Sequence, residues 1–551
     1  MKLLLSAVSH YAAVAADRIA LRVRRDGEWT VISYGELNQL TLAWAAFFYD
    51  LGCAPGSVIF IVLKHRAEMY SAFLGAMRAG LVPSFLPFPT PKQDGPSFWS
   101  SHAILFARVR PVCILTYGPN VAIIRDILGE DACHVLDIEA LALPKTAPGI
   151  PLAQVEAEPN IALLQHSSGT TGLKKGVILT YGQIRAQISA YATSIGADAD
   201  SRIVSWLPVY HDMGLITSFI MPMTLGAEVI SIDAFDWLAR PDMLLTLIGE
   251  YRATHCWLPN FAFNHLIRTR DRKRQYDLSS LRALVSCSEP AKPETMQRFA
   301  ETFDAHGLPP YALQVCYAMA EAVFGVTQTA PQKTPRVLAV DPVALLERKQ
   351  LAPAGEEHTA PLRFLSCGKP VGDIHVRIDA EPGTNVGEII LEGSFLFSGY
   401  YLNQEATDAA ITGTTFRTGD LGFMDNGELF ICGRLKELLI IHGRNYYATD
   451  IEEAASSVPG VKPGRTVAFS VFDPVTASEA AILLAEAEPG SEVAHQALQK
   501  SIRNAVFDRF ELALKSVEIL SVGEIIKTTS GKNSRKDNRE RYISGETRGR
   551  T

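Results

Sequence analysis

The chain has 551 residues, 47% of them hydrophobic and 20% charged, with a formal net charge of −7. That composition excludes an intrinsically disordered chain and leaves apolar material for more than one core. The mild acidity argues against general nucleic-acid binding, and no apolar run is long enough to span a bilayer.

In chain order, the start, MKLLLSAVSHYAAVAADR, has His10 and Tyr11 interrupting its apolar residues. It reads as a surface helix and not as a secretory signal. Residues 31–140 alternate helix-like and strand-like blocks. Tyr34–Gly52 and Ala67–Gly80 have helical spacing, and Ser57–Leu63 and Val82–Phe88 read as apolar strands. The alternation restarts at Ile161, with strands expected at Ile203–Leu207, Glu228–Ile232, His255–Leu258 and Ala283–Ser286. Alternating α and β elements predict an α/β class built on parallel sheets, here two α/β subdomains. Residues 331–362 are polar and proline-rich around one helix-like run, Pro342–Arg348, and read as an insertion. Period-2 alternation from Phe364 to Phe397 predicts a small β unit, and DNGELFICGR within Asp420–Arg434 predicts a hairpin. A shorter α+β pattern follows. The polar stretch Asn533–Thr551 reads as a solvated tail.

The 8 cysteines stand singly in apolar segments, with no C-x-x-C pair. They read as buried thiols of a reducing compartment, the cytoplasm. The chain has no G-x-G-x-x-G, P-loop, H-E-x-x-H or G-x-S-x-G pattern, so dinucleotide oxidoreductases, P-loop NTPases, zincins and common serine hydrolases lose ground.

What stands out is SSGTTGLKKG at Ser167–Gly176, after the expected strand Ile161–Leu164. Hydroxyls, glycines and lysines at this density can wrap an anion with backbone N–H groups and ammonium charge. Alone, such a run is as readily a surface loop. Four further motifs follow in order: Tyr317-Ala318-Met319-Ala320-Glu321, Phe416-Arg417-Thr418-Gly419-Asp420, Gly433-Arg434-Leu435-Lys436 and Thr529-Ser530-Gly531-Lys532. The set resembles the adenylate-forming superfamily, which activates carboxylic acids with ATP. WLPVYHDMGL (206–215), RATHCWLPN (252–260), RTGDLGF (417–423) and GRNYYATDIE (443–452) are similar to its fatty acyl-AMP ligase branch in particular.

The resemblance implies a large N-terminal domain (1–433) with a small β-barrel-like unit, a hinge at 434–437, and a small mobile C-terminal domain (438–551). It implies ATP and Mg²⁺ as cofactors, a carboxylic acid of fatty type as substrate, and a carrier protein's phosphopantetheine arm as acyl acceptor. The insertion at 331–362 sits where that branch carries a segment linked to loss of transfer to free coenzyme A. An acyl-CoA synthetase, a ligase with another acceptor such as an amine, and a non-catalytic nucleotide-binding scaffold are the rival readings. The four residues Lys532, Glu321, Asp420 and Arg434 weigh against the scaffold.

Residue by residue, the resemblance assigns phosphate binding to Ser167, Ser168, Gly169, Thr170, Thr171, Gly172 and Lys175. Ser288, Glu289 and Pro290 would line the adenine, although Glu289 could simply cap a helix opened by Pro290. Tyr317, Ala318, Met319 and Ala320 would form the adenine segment, and Glu321 would hold the metal. Asp420 would accept hydrogen bonds from both ribose hydroxyls, and Arg434 would meet ribose or phosphate. His211 would orient the substrate carboxylate. Lys532 would bridge carboxylate and α-phosphate, delivered by rotation at Lys436. Departures from the family pattern are Lys174 in place of proline, Tyr181 in place of histidine, Ala448 in place of proline, and Thr217 in place of glycine. The last predicts an acyl tunnel that is shortened or tilted toward an unusual acid.

Overall fold

The computed structural model describes residues 1–90, 95–129, 133–144, 151–167, 175–355, 361–441, 444–473, 478–490, 492–527 and 532–545. The chain forms two compact units. One comprises Met1–Pro335, Cys367–His375 and Glu392–Phe416; the other comprises Arg336–Ser366, Val376–Leu391 and Arg417–Thr551.

In the first unit the helix Leu4–Val14 buries Leu4, Leu5, Ala7 and Val8. A helix start leaves N–H groups unsatisfied. Here the Glu156 carboxylate accepts from Leu5 N (2.7 Å) and Ser6 N (3.1 Å), and burial raises its pKa. A four-stranded parallel sheet has the order Val82–Phe85, Val58–Ile61, Cys113–Thr116, His134–Asp137. Its first three strands are buried at every position, which is why they read as unbroken apolar runs.

A nine-stranded sheet has the order Lys369–Pro370, Gly325–Gln328, Leu313–Ala318, Ala283–Ser286, His255–Leu258, Arg202–Ser205, Glu228–Ile232, Ile19–Arg25, Glu28–Ser33. It is parallel from Leu313–Ala318 through Ile19–Arg25 and antiparallel at both edges. The four strands expected between residues 203 and 286 are all present. The edge hairpin at 19–33 escaped the reading, because arginines alternate along it. Arg22 Nε lies 2.6 Å from Glu228 Oε1 on the neighbouring strand, a partner far away in sequence.

In the second unit, Val337–Val340 pairs antiparallel with Leu362–Leu365. Between them stands the helix Pro342–Arg348, as its spacing predicted, capped by Asp341 Oδ1 accepting from Val343 N and Ala344 N. Thr415–Asp425 and Glu428–Arg434 form the expected hairpin. Asn426 (φ 50°) and Gly427 (φ 77°) make its turn, the left-handed pair that such a two-residue loop demands. In the sheet this hairpin joins, His375–Asp379, Gly387–Glu392 and Thr415–Asp425 follow in order. Val461–Asp473, Ser478–Ala487 and Ser516–Leu520 form a further sheet, flanked by helices Ala448–Ser456 and Glu492–Phe510. Leu345 and Leu346 of the insertion share one buried core with Ile451, Leu483 and Phe510. Arg444 and Glu347 pair at 2.9 Å.

The expectation of a solvated tail from Asn533 is overturned. Arg535–Ile543 is a helix with Asn538 and Tyr542 buried. Arg535 bonds Glu437 (2.5 Å) and both carboxylate oxygens of Glu452 (3.0 and 2.8 Å), and Tyr542 packs on Phe469. A charge-rich composition conceals such packing, because paired charges can be buried where lone ones cannot.

Candidate active site

Parallel strands send their following loops to one end of a sheet, where α/β proteins place ligands. At the carboxyl end of the nine-stranded sheet, Trp206–Leu215 follows Arg202–Ser205, Pro259 and Asn260 follow His255–Leu258, and Ser288–Pro290 follows Ala283–Ser286. Tyr317 and Ala318 end the adjacent strand, with Met319 and Ala320 beyond. Ser288 takes a left-handed backbone (φ 66°), and its Oγ lies 3.9 Å from Met213 Sδ. Glu289 does cap a helix, but not one opened by Pro290. Its Oε2 accepts from Phe261 N (3.1 Å), in the first turn of Asn260–Thr269, whereas the next helix begins at Pro293.

His211 O accepts from Leu215 N at the entry to a π-helix, Met213–Ile220. The entry is tight, since a Cβ on Gly214 would stand 2.2 Å from Pro208 O. Asp212 Oδ1 receives Met213 N, and at the far end Met221 N reaches back to Ile216 O. Thr217 is fully buried there, and its Oγ1 donates to Met213 O at 2.6 Å.

Glu321 lies in the single turn Ala320–Ala322 after the strand Leu313–Ala318. Two residues on, Val323 holds φ 61°, a costly conformation for a β-branched residue and of a kind that gathers at functional sites. Phe397 N bonds Glu321 O (2.8 Å), and the Tyr400 hydroxyl donates to Glu321 Oε1 (2.8 Å). Burial first, and the Glu321 charge second, raise the pKa of Tyr400, which keeps its proton as a donor. The Lys175 ammonium stands 4.5 Å from the centre of the same ring.

Ser167 and Lys175, the ends of the glycine-rich stretch, are partners across the antiparallel strands Ile161–Ser167 and Lys175–Thr180. Ser168, Gly169, Thr170, Thr171 and Gly172 lie outside the described residues. Gly176 has His166 and Tyr401 against it, 3.1 and 3.5 Å from where a Cβ would be, so a larger residue would press on the His166 ring.

In the second unit Asp420 and Arg434 are register partners joined at 2.9 Å, with Asp420 buried and Arg434 half-exposed. Lys436 lies in the exposed turn Leu435–Glu437, and Lys532 is exposed just before Arg535. The structure therefore joins Glu321 to Lys175, Ser288 to Met213, and Asp420 to Arg434. Tyr400 is the residue that the sequence reading missed. The Gly399-Tyr400-Tyr401 run was its single trace, and nothing local in it names Glu321.

Sheets and motif loops arranged in this way define an enzyme that activates acids by adenylation, and the chain belongs to the AMP-binding enzyme family, whose pattern matches residues 8–401. Its relatives include the long-chain-fatty-acid–AMP ligase FadD26 of Mycobacterium marinum, 32% identical over 89% of this chain and 88% of that protein. Another is the medium-chain-fatty-acid–[acyl-carrier-protein] ligase JamA of Moorena producens, 31% identical over 98% of this chain and 94% of that protein. A solved structure from a study of fatty acyl-adenylate ligases of E. coli and L. pneumophila superimposes with a TM-score of 0.90 at 27% identity, covering 99% of this chain and 98% of that one.

Proposed function

We propose that the protein joins a fatty-type carboxylic acid to AMP and then passes the acyl group to the phosphopantetheine thiol of an acyl carrier protein. In the first step a carboxylate oxygen bonds the α-phosphorus of ATP, and the bond from that phosphorus to the α–β bridging oxygen breaks, releasing pyrophosphate. In the second step the thiol sulfur bonds the acyl carbon, AMP leaves, and the thiol proton passes to solvent. The Lys175–Tyr400–Glu321 linkage carries this reading, since it sets a cation and a carboxylate together at the end of the glycine-rich stretch. The activities for which FadD26 and JamA are named support the acid class, and that of JamA supports the acceptor.

Two anions must meet, so the site's work is charge compensation and positioning. We assign Lys532 to the reacting oxygens, Lys175 with Ser167–Gly172 to the phosphates, Asp420 to the ribose hydroxyls, and Arg434 to ribose or phosphate. Ser288–Pro290 and Tyr317–Ala320 take the adenine, His211 orients the substrate carboxylate, and Lys436 is the pivot. Among the described residues no group of three or more His, Cys, Asp or Glu could hold a metal. A single carboxylate at Glu321 nonetheless fits Mg²⁺, which takes most of its oxygen ligands from phosphates and water. Bound there, the ion would neutralise charge on the leaving pyrophosphate. The insertion, seated in one core with Ile451 and Phe510 and tied by Glu347 to Arg444, supports a carrier-bound thiol over free coenzyme A.

Mass spectrometry of the purified protein with ATP, Mg²⁺ and a panel of carboxylic acids tests this, with coenzyme A or a phosphopantetheinylated carrier protein as acceptor. Acyl-AMP that persists with coenzyme A and is consumed by the carrier is the expected result. Efficient acyl-CoA formation would overturn the choice of acceptor.

A further inference from the structure

We propose that Tyr400 is a positioning residue serving both sides of the phosphate site: its hydroxyl aims the Glu321 carboxylate at magnesium, and its ring holds the Lys175 ammonium poised for the ATP phosphates. This rests on the reading of Glu321 as metal ligand and Lys175 as phosphate contact. Tyr400 itself belongs to none of the five motifs that carried that reading.

The geometry is built from three separated stretches of chain. Tyr400 is buried except for 8% of its surface, and its backbone cannot drift. Its own N–H donates to Thr407 Oγ1 (2.9 Å). On either side, Ile178 N bonds Gly399 O (3.0 Å) and Tyr401 N bonds Gly176 O (2.7 Å), which fastens the segment to the strand that Lys175 begins. A neighbouring peptide, Phe397 N to Glu321 O, fixes the acidic residue's main chain to the same segment. One bond from the hydroxyl to Glu321 Oε1 then sets the rotation of the carboxylate, as partners of ligating carboxylates do in metal sites. On the ring face, 4.5 Å from its centre, the Lys175 ammonium has an aromatic contact weaker than an ammonium–phosphate bond. Among the described residues no carboxylate pairs with Lys175, so arriving phosphate can draw the ammonium away from the ring.

Two variants separate the two roles. Tyr400→Phe keeps the ring and removes the hydroxyl, and Tyr400→Leu removes both. ATP binding to the full-length protein is measured by calorimetry across a magnesium titration, without acid, and pyrophosphate release with dodecanoic acid is followed over the same titration. Glu321→Gln and Lys175→Ala are run alongside. For Tyr400→Phe the half-saturating magnesium concentration should rise about tenfold, while ATP affinity in excess magnesium stays within about twofold. For Tyr400→Leu the magnesium shift should be accompanied by a loss of roughly fivefold in ATP affinity in excess magnesium. If Glu321→Gln leaves the magnesium dependence unchanged, or Lys175→Ala leaves ATP affinity unchanged, the underlying reading of those residues fails and this inference with it. If both controls respond and Tyr400→Phe leaves the magnesium midpoint in place, the role of the hydroxyl is overturned. If Tyr400→Leu binds ATP as Tyr400→Phe does, the role of the ring is overturned.

Discussion

Lys175 and Lys532, the two lysines assigned to the reaction, are presented in opposite ways. Lys175 starts a strand, and its ammonium rests on a ring supplied from far along the chain. Lys532 stands exposed on a strap held mainly by its neighbours. Ser534 N bonds Ile526 O (2.9 Å), Asn538 bonds both polar backbone groups of Ile526, Asn533 Nδ2 donates to Thr466 O (2.9 Å), and a charged clamp, Arg535, ties the strap to Glu437 and Glu452. Placement by distant packing spreads the load over many contacts. Placement by a strap leans on fewer contacts, with the Arg535 charge chief among them.

The sharpest way to break the contrast is therefore Arg535→Ala. Removing one partner of a buried ion pair strands the carboxylates, and the expected loss is about 3–5 kcal/mol of stability, read from urea unfolding. A loss under ~1 kcal/mol would mean that the clamp is decorative and the contrast false. Next comes Lys532→Ala, which removes the presented group and leaves the strap intact. Acyl-AMP formation should slow by about 10²–10³-fold with the unfolding midpoint unmoved.

The first unit has its own sensitivity, to acid. His255 is wholly buried in the nine-stranded sheet, bonded to Thr254 Oγ1 and Ile195 O, and burial lowers its pKa from 6.5 to about 4. The unfolded chain binds the proton more readily, so the stability contributed by the neutral ring is complete above pH 6.5 and lost as pH falls towards 4. The limit is about 3 kcal/mol. Unfolding measured across that window should show the slope in the native protein and a shallower one in His255→Gln. The smallest effect is expected for Thr217→Gly, which deletes the bond to Met213 O at a cost of about 1 kcal/mol. It should extend the accepted acids to longer chains in a length panel, and an unchanged length profile would remove Thr217 from the tunnel.

What was legible in the sequence follows the same division between local and distant. The buried parallel strands, such as His255–Leu258, announce themselves because both faces are apolar. The 426–427 turn announces itself because its chemistry is local. The fold class and the ordered motif residues could be read for the same reason. The hairpin at 19–33 could not, since its salt bridge to Glu228 crosses most of the first unit's sequence. Nor could Tyr400, whose meaning depends on two partners from distant parts of the chain, or the helix Arg535–Ile543, whose charges look solvated until their carboxylates are found. Glu289 shows a milder form of the gap: the residue type suggested a cap, and only the fold says that the helix is Asn260–Thr269.

The π-helix at Met213–Ile220 has an evolutionary consequence. Such a stretch carries an extra residue in each turn relative to an α-helix, so it can absorb the loss of one residue by tightening its winding. Insertions and deletions are ordinarily confined to surface loops, but this buried segment offers a site for one inside the core. A single-residue deletion there would rotate the side chains on one flank by about a quarter turn or more while keeping the helix whole. Length variation at this point is thus a route by which descendants of this protein could reshape the interior around Thr217 in one genetic step, where point substitution would need several.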